Sequence, residues 1–328
     1  MKIFAAVALA GALHLPPGYQ ASVYASGLTH PTALAFRPNG LLYVTEDVGR
    51  VVVVAPGTRR PRVIARGIKV PLGLAWLDRK TLIVSAQGRL LRLTTGANGS
   101  VTRTRTIVGR LPFGLHQQDN VLVDHGRLLF GSGSTCNACT ERDPRSAAVL
   151  SVRADGTDLR VVARGTRNPY GLVRDQRTGQ IYVSVNGRDD VDRRGDPEPA
   201  EMIVELRQGR NYGWPKCWPS ARLLRLVGAC RGVTPPVAYL EPHASADGMV
   251  FWHGRLYVAE WGQYDSHRFG RRVVAVRLTG PQHSRVSVFG SGFDHPLALA
   301  VDPHDNLLVA DWGRGVIYRI TAPRPVRR

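Results

Sequence analysis

Six copies of one phrase constrain this sequence more than its composition does. Each copy has a Pro or His within its first three residues, continues through a short apolar strand and a turn, and has a second strand ending in small or acidic residues before a third apolar strand. A recurrence of roughly 40 to 50 residues with short strands and no helical period is typical of propeller blades. The copies start at His30, Val70, Leu115, Arg167, Pro242 and Asp294. The pattern predicts an all-β, six-bladed β-propeller.

A fourth, edge-type strand lies between several copies and suggests how the ring closes. Such strands follow Arg60, Thr102, Asp158 and Ser284. The stretch YQASVYASGL from Tyr19 has the same character, but no first three strands precede it. We therefore expect it to pair with the last blade, which removes the open sheet edges that invite aggregation. An unclosed β-sandwich is the alternative architecture.

The N-terminus and the remaining length suggest an exported, single-domain protein. Residues 1–12 contain one Lys and an apolar run, with an Ala10-Gly11-Ala12 tripeptide of the type that signal peptidase cleaves. We interpret 1–12 as a signal peptide and 13–328 as one propeller domain, in a periplasmic or secreted protein. An ordinary apolar lead-in is the alternative for the N-terminus. No other run approaches 18 apolar residues, so we expect no membrane span.

The four cysteines fit export but leave their pairing open. Cys136 and Cys139 form a CNAC loop, and Cys217 and Cys230 bracket a Pro- and Arg-rich excursion. Four cysteines allow three connectivities, of which the two local disulfides are the simplest. A structural zinc site competes with this interpretation, although the second pair lacks close CxxC spacing.

The formal net charge of +19 raises the question of a nucleic-acid partner. The arginines, however, are dispersed over all the blades and are not interleaved with aromatic residues in one cluster. We expect no nucleic-acid binding. A positive field of this kind would still favour an anionic cofactor or an acidic surface.

Polar clusters fall where propeller sites gather, at strand starts and loops around the mouth of the central channel. His116 lies at the start of the third copy, and the unperturbed pKa of a histidine is near neutral, as a general base needs. Arg167 and Asn168 lie in a loop fixed by a Pro, and the stretch from Val185 to Asp190 joins a tight Gly turn to carboxylates and is followed by Glu201. Backbone carbonyls and carboxylates are the hard oxygen ligands that calcium takes.

These clusters, in this order, give the chain a family resemblance. It resembles the soluble six-bladed quinoprotein sugar dehydrogenases, and most closely their glucose/sorbosone dehydrogenase-like branch. The residues that carry the resemblance are LPPGY at Leu15, LH at Leu115, GSTCNACTERDPRSAAVL from Gly133, GTRNPYGL from Gly165, VNGRDD from Val185, NYGWPKC from Asn211 and, more weakly, HASADGM from His243.

The resemblance implies a cofactor, a reaction and a set of site residues. Members of this family bind the anion pyrroloquinoline quinone (PQQ) with calcium at the channel mouth and oxidise an aldose or related sugar. His116 would then be the base, and Arg167 would polarise the quinone oxygen. Asn168 and Arg188 would help to hold the cofactor, and the carbonyls of Gly187 and Arg188 would ligate the catalytic calcium. Glu201 would belong to a second, structural calcium region.

Three positions depart from the glucose-oxidising members of that family. Ser134 stands where they orient the catalytic His with an Asp, although the sorbosone-like branch also carries Ser. Trp261 lies in the loop that supplies a cofactor-binding Lys, and His295 replaces an Arg before the first strand of the sixth blade. We expect Trp261 and His295 to contact the cofactor, with His267, Arg268, Arg271 or Arg314 as sources of compensating charge.

Two other functions remain open on the sequence alone, because a fold does not define an activity. One is a calcium-containing propeller that binds a ligand or protein without redox chemistry. The other is a calcium-dependent lactonase, which needs side-chain carboxylates converging on one metal. The ordered appearance of His116, Arg167 and Gly187 favours the quinoprotein, with a small-molecule sugar or related substrate and an unidentified electron acceptor.

Overall fold

The computed structural model describes residues 13–189, 199–264, 266–280 and 284–323. These residues form 26 strands and no helix, with the following bounds. In chain order the strands are β1 (Gln20–Ser26), β2 (Pro31–Phe36), β3 (Leu42–Glu46), β4 (Arg50–Val54), β5 (Arg62–Arg66), β6 (Pro71–Trp76), β7 (Thr81–Ala86), β8 (Arg89–Thr95), β9 (Val101–Val108), β10 (Gln118–Asp124), β11 (Arg127–Ser132), β12 (Ala148–Arg153), β13 (Arg160–Arg164), β14 (Asn168–Arg174), β15 (Ile181–Asn186), β16 (Ala200–Glu205), β17 (Cys217–Ser220), β18 (Arg225–Gly228), β19 (Ala238–Pro242), β20 (Ala246–Trp252), β21 (Arg255–Glu260), β22 (Arg272–Arg277), β23 (Arg285–Ser291), β24 (Pro296–Val301), β25 (Leu307–Asp311) and β26 (Val316–Thr321).

Six antiparallel four-stranded sheets confirm the predicted propeller. In chain order the blades are β2-β3-β4-β5, β6-β7-β8-β9, β10-β11-β12-β13, β14-β15-β16-β19, β20-β21-β22-β23 and β24-β25-β26-β1. The first strand of each copy is the innermost, and these six strands contact one another around a closed ring, with β24 beside β2. The alternative of an unclosed sandwich is therefore excluded.

The N-terminal strand closes the ring as expected. β1 pairs antiparallel with β26, from Gln20 opposite Thr321 to Ser26 opposite Val316. Before it, His14 exchanges two backbone hydrogen bonds with Ser291 of the fifth blade, at 2.9 and 3.0 Å. The sixth sheet thus joins both ends of the described chain, which protects its edge. The segment 1–12, interpreted as a signal peptide, lies outside the described residues.

Apolar side chains fill the space between neighbouring blades. Each of the six blade interfaces has its own buried cluster; between the sixth and first blades it includes Leu42, Val44, Leu308 and Ile317. This is the packing of twisted sheets face to face, with alternate residues of each strand directed into the interface. A seventh, smaller cluster lies among the inner strands and contains Leu72, Tyr170, Trp261 and Leu297.

The fourth blade carries an insertion that the sequence repeat did not reveal. Its outer strand, β19, comes after the hairpin β17–β18, which forms a separate two-stranded sheet. A disulfide between Cys217 and Cys230 closes this hairpin, and a second disulfide joins Cys136 to Cys139. Both local pairs are therefore confirmed. Because all four cysteines are paired, the competing zinc interpretation is wrong.

The acidic residues that end the second strands have a repeated structural role. Glu46 accepts a hydrogen bond from the backbone N of Thr29 and pairs with Arg50. Asp311 accepts from the backbone N of Asp294 and His295 in the sixth blade. A carboxylate that caps the backbone before an inner strand fixes where that strand begins. These acids therefore fix the backbone that leads into the first and sixth inner strands.

None of the described residues forms a helix long and apolar enough to cross a bilayer.

Candidate active site

A cavity of about 300 Å³ lies at one mouth of the central channel and is built from all six blades. The innermost strands all have a register shift close to their first residues, and such bulges re-aim the side chains beside them. The lining residues are Thr32, Asp47, Val70, Leu72, His116, Gln117, Arg167, Asn168, Tyr170, Asn186, Asp189, Glu201, Ser245, Asp247, Trp261, Tyr264, Leu297 and Trp312. The strand starts thus converge where the sequence placed the site.

A larger cleft, of about 570 Å³, lies away from the channel mouth between the fourth and fifth blades. Its charged residues largely pair within their own blade: Arg177 lies 3.6 Å from Asp175, and Arg207 lies 2.9 Å from Glu205. Paired surface charges of this kind leave little binding capacity for a ligand. The smaller cavity at the channel mouth, which contains groups suited to proton transfer, is the better candidate.

His116 is held in one tautomer by Ser134. Its Nδ1 lies 3.0 Å from the Ser134 hydroxyl and 3.3 Å from the Ser134 carbonyl. The hydroxyl donates its hydrogen to the carbonyl of Cys136, at 2.7 Å. Since the Ser134 carbonyl and hydroxyl oxygens both act as acceptors toward the ring, Nδ1 carries the proton. Nε2 therefore keeps a lone pair, as a base requires.

The environment of His116 strongly favours the neutral ring. Burial, together with the positive charge of Arg167, lowers the pKa of His116 to about 3. Desolvation and a like charge both disfavour the imidazolium ion. In the apoprotein at neutral pH, His116 is therefore an unprotonated acceptor.

The depressed pKa of His116 predicts a pH-dependent difference in stability. Between its folded value of about 3 and its usual 6.5, the unfolded chain binds more protons, so stability rises with pH. On going from about pH 7 to about pH 4, we expect the apoprotein to lose about 2 kcal/mol more unfolding free energy than His116→Gln, allowing for solvent screening of the ring. Urea titrations of both proteins across this range measure the difference, and parallel curves would contradict it.

Arg167 lies almost fully buried beside His116, with 3% of its side chain exposed. Its Nε donates to the Asn137 carbonyl at 3.1 Å, and its Nη2 donates to Asn137 Oδ1 at 2.8 Å. Nη2 also pairs with the carboxylate of Asp189. The guanidinium is thus fixed in the cavity wall by the CNAC loop and by the carboxylate of Asp189.

Several polar atoms of the cavity wall are buried without a partner among the described residues. They are Asn168 Oδ1, Tyr170 Oη and Asn186 Oδ1. Buried polar atoms normally find partners, and exceptions at a cavity point to a ligand. Gly133 lets this wall form, because a Cβ there would collide with the Cβ of His116 and lie 2.7 Å from Asn168 Oδ1. The close approach of His116 and Asn168 therefore requires glycine.

Glu201 lies in the same cavity as His116, whereas the resemblance assigned it to a separate calcium region. One carboxylate oxygen accepts from the backbone N of Gly187, and the other lies 3.4 Å from the backbone N of Ser245. Burial raises the pKa of Glu201 to about 8. Arg188 stacks over Trp218 at 4.6 Å, in a small adjoining pocket that Gly187 also lines. The proposed calcium ligands Gly187, Arg188 and Glu201 are therefore neighbours, and Glu201 is hydrogen-bonded to the backbone N of Gly187. The acidic, Pro-rich loop before Pro199 lies largely outside the described residues.

Two buried acids near the channel axis were missed by sequence reasoning. Burial raises the pKa of Asp119 well above its ordinary value, and the charge of Asp247 adds to this effect. Burial likewise raises the pKa of Asp247, although Asn186 donates a hydrogen bond to it at 3.0 Å. The signal was present in HQQD and SADG, where each acid is the second residue of an inner strand.

Three aromatic residues of the fifth and sixth blades, Trp261, Tyr264 and Trp312, form an aromatic wall of the cavity. Trp261 contacts Tyr264 edge to face, with ring centroids 4.5 Å apart, and meets Trp312 at 5.5 Å. Tyr264 is 73% exposed although it lines the cavity, so its ring is available to a ligand. Trp312 donates from Nε1 to Asp47, at 2.7 Å. Tyr264, Trp312 and Asp47 were not identified from the sequence, because their copies of the repeat look like ordinary second-strand ends.

His295 supports this wall from behind and is not among the described cavity-lining residues. It lies 4.1 Å from Trp261 between ring centroids, with Nδ1 3.2 Å from Asp294. Burial and the charge of Arg271 lower the pKa of His295. Arg271 itself donates to Asp294 and to the carbonyl of Gln263, and Arg314 donates to Tyr318. Arg271 and Arg314 therefore both make hydrogen bonds to other residues of the protein.

Comparison with known proteins places the chain among similar propellers. The family model described as TrAA12-like matches residues 13–224. An uncharacterized protein of Synechocystis sp. is 24% identical over 309 residues, which covers 75% of this chain and 72% of that protein.

Solved structures share the fold over nearly the whole chain. The holo form of the pyranose dehydrogenase PQQ domain from Coprinopsis cinerea has a TM-score of 0.83 and 19% identity, with 95% of this chain and 98% of that chain covered. The calcium structure of the Trichoderma reesei family AA12 protein has a TM-score of 0.81, 19% identity, and coverages of 95% and 97%. The PQQ-bound aldose sugar dehydrogenase of Streptomyces coelicolor has a TM-score of 0.74, 20% identity, and coverages of 94% and 100%.

Proposed function

The chain belongs to the TrAA12-like family, and from the geometry of its channel mouth we propose that it is a PQQ-dependent oxidoreductase that oxidises a sugar or a related polyol or aldehyde. The observation that carries the proposal is the pairing of His116, fixed with Nε2 as an acceptor, and a buried Arg167 in one cavity. Abstraction of a hydroxyl proton needs such a base, and charge developing on oxygen needs such a cation.

The cavity fits a planar anion with hydrogen-bond acceptors of its own. Asn168 lines it with an amide, and Arg167 supplies a fixed positive charge. Trp261 and Trp312 offer flat apolar surface on the far side. A bound group that accepts from the Tyr170 hydroxyl and donates to Asn168 Oδ1 would provide the partners that both atoms lack among the described residues.

The same cavity fits that anion only together with a cation. Among its described lining residues, Asp47, Asp189, Glu201 and Asp247 are acidic, and Arg167 is the single Lys or Arg. Glu201 and Asp247 have raised pKa values, so a divalent cation could replace their protons. Gly187 and Arg188 line the small pocket that adjoins this cavity, and Glu201 is hydrogen-bonded to the backbone N of Gly187. Backbone carbonyls and carboxylates are oxygen ligands of the kind calcium accepts. We infer that calcium binds here with the quinone.

In the proposed reaction each residue has one role. His116 would accept the substrate hydroxyl proton at Nε2, while Ser134 keeps Nδ1 protonated. Arg167 would hold positive charge beside an oxygen that becomes negative. The quinone, when bound, supplies a two-electron hydride acceptor. The aromatic wall at Tyr264 and Trp261 would carry the apolar face of a sugar ring.

The lactonase alternative finds less support in this geometry. Such an enzyme needs carboxylates that converge on one metal ion. Over the described ranges, the group of three potential metal-binding side chains with donor atoms close together is Cys136, Cys139 and Glu141. It includes a disulfide and contributes no residue to the cavity lining.

Reconstitution tests the proposed function directly. Purified apoprotein would be titrated with PQQ in the presence and absence of calcium, and then assayed by dye reduction with a panel of aldoses, polyols and hydrated aldehydes. We expect saturable quinone binding that requires calcium, and turnover of at least one sugar class. Saturable calcium binding without quinone binding would instead indicate the non-redox propeller.

We further propose export to the periplasm or medium. Both disulfides are formed, and disulfides persist in oxidising compartments. An external electron acceptor would then meet the channel mouth outside the cytoplasm. Mass spectrometry of unreduced protein from its host should find both pairs oxidised and residues 1–12 removed.

A further inference from the structure

We propose that Asn137, held in the Cys136–Cys139 disulfide loop, is a positioning residue that fixes the guanidinium of Arg167 for quinone binding. This inference rests on the proposed function, because it assigns Asn137 to the same site. Asn137 does not line the cavity among the described residues, so it would act through Arg167 and not by touching a ligand.

Asn137 lies in the third blade, and its hydrogen bonds reach residues of the fourth blade. Its carbonyl accepts from Arg167 Nε at 3.1 Å and from Trp214 Nε1 at 3.0 Å. Its side-chain Oδ1 accepts from Arg167 Nη2 at 2.8 Å and from the backbone N of Asp189 at 3.0 Å. Asn137 thus holds two donors on one edge of the guanidinium, Nε and Nη2, and also the backbone N of Asp189, the carboxylate partner of Arg167.

The disulfide ring links this anchor to His116. Cys136, the residue before Asn137, accepts the Ser134 hydroxyl hydrogen through its carbonyl, and Ser134 in turn fixes the tautomer of His116. Cys139 closes the ring two residues later. The four-residue CNAC loop therefore orients His116 through the Cys136 carbonyl and Ser134, and orients Arg167 through Asn137. These two roles explain why the loop lies beside the site.

Arg167 needs such an anchor because its positive charge alone does not determine the direction in which its N–H groups point. A buried guanidinium donates along fixed in-plane directions, and the partly exposed Asp189 restrains only Nη2. Without Oδ1 of Asn137, the Asn137 carbonyl still holds Nε, but Asp189 becomes the remaining partner of Nη2 among the described contacts. The guanidinium can then tilt toward Asp189 and turn its donors away from the cavity. The charge would remain, but its orientation would be lost.

The first test measures quinone affinity in calcium-loaded protein. We expect Asn137→Ala to weaken PQQ binding about 10- to 100-fold, as loss of a hydrogen bond to a charged group would predict. Asn137→Asp keeps the Oδ1 acceptor and should restore most of the affinity. Thr140→Ala, an exposed change just outside the same ring, should match the wild type. Unchanged affinity in Asn137→Ala would overturn the proposal.

The second test asks whether Asn137 acts through Arg167. In an Arg167→Lys background, Asn137→Ala should weaken PQQ binding no further, because the group that it positions is already gone. A full additional loss would show that Asn137 acts by another route, and would refute the positioning role. Thermal melts of all the variants verify that each protein in the comparison is folded.

A third measurement needs no cofactor and so separates this inference from the proposed function. In apoprotein, the guanidinium NMR signals of Arg167, assigned by their absence in Arg167→Lys, should show restricted rotation and slow exchange. Asn137→Ala should speed both, whereas Asn137→Asp should not. If the wild type failed to bind PQQ but this pattern appeared, the proposed function would fail while the positioning role stood. Equal dynamics in all three proteins would overturn the positioning role.

Discussion

Replacing His116 with Ala should lower the rate of substrate oxidation by roughly two to four orders of magnitude, the usual contribution of a positioned general base. The fold should persist, because the ring lies at a cavity wall and contacts Ser134 without belonging to a described apolar cluster. Steady-state dye reduction with reconstituted protein measures the loss. PQQ titrations and thermal melts should show nearly unchanged cofactor affinity and stability.

A matched control is available in the same blade. His125 lies in the β10–β11 turn, 81% exposed and 3.2 Å from Asp124, so His125→Ala should retain wild-type kinetics. Normal turnover by His116→Ala would remove His116 from the mechanism. Unfolding of His116→Ala would show that the side chain is structural, and the more conservative His116→Gln then distinguishes chemistry from packing.

The sequence predicted the fold well because its determinants are local and repeated. Alternating apolar residues with turn signals define each blade, and the resemblance inferred from ordered motifs is confirmed by the family match over residues 13–224. The outer strand of the fourth blade was missed because an intervening hairpin breaks the period there. β19 follows β16 in the sheet although 32 residues separate the two strands, and no periodic pattern specifies such a return.

The candidate site was predicted less completely, since its geometry depends on contacts between distant residues. His116, Arg167, Asn168, Glu201 and Trp261 do line one cavity. The hydrogen-bond partners that define their roles lie elsewhere in the sequence; Asn137, for example, is 30 residues from Arg167. Pairings of this kind depend on blade twist and strand bulges, which do not appear as a motif.

The position of His295 illustrates the same limit. Its place before the sixth inner strand suggested a residue that contacts the cofactor. In the structure its ring packs against Trp261, and its pKa is lowered. A strand start contributes several side chains, and the bulge between Pro296 and Ala298 determines which of them faces the channel. Leu297 is among the described residues that line the cavity, whereas His295 is not.

The net charge of +19 gives a misleading impression of the site when taken as a whole-chain number. Many arginines are neutralised locally, as Arg127 is by Asp158 and Arg174 by Asp124. Among the described cavity residues the balance is acidic, with Arg167 as the single Lys or Arg. The local field therefore depends strongly on one side chain, and changing that side chain should have a large effect.

Arg167→Lys should accordingly reduce both quinone affinity and the rate of substrate oxidation, each by about 10- to 100-fold, although the formal charge is unchanged. Lys offers a point charge on a flexible stem and cannot make the planar set of hydrogen bonds that joins Asn137 and Asp189 to the cavity. Direct titration gives the affinity, and single-turnover reduction of saturated protein gives the rate, so that the two effects are separated.

Arg174→Lys provides the control, because Arg174 ends β14, the strand that begins directly after Arg167, and also pairs with a carboxylate, that of Asp124. It is not among the described residues of the cavity, and we expect wild-type affinity and rate. If Arg167→Lys behaved like Arg174→Lys, positive charge alone would be sufficient at this position, and the planar set of guanidinium hydrogen bonds would not be needed. A loss confined to affinity would mean that Arg167 binds the quinone without stabilising the transition state, because only interactions that strengthen in the transition state change the rate of the saturated protein.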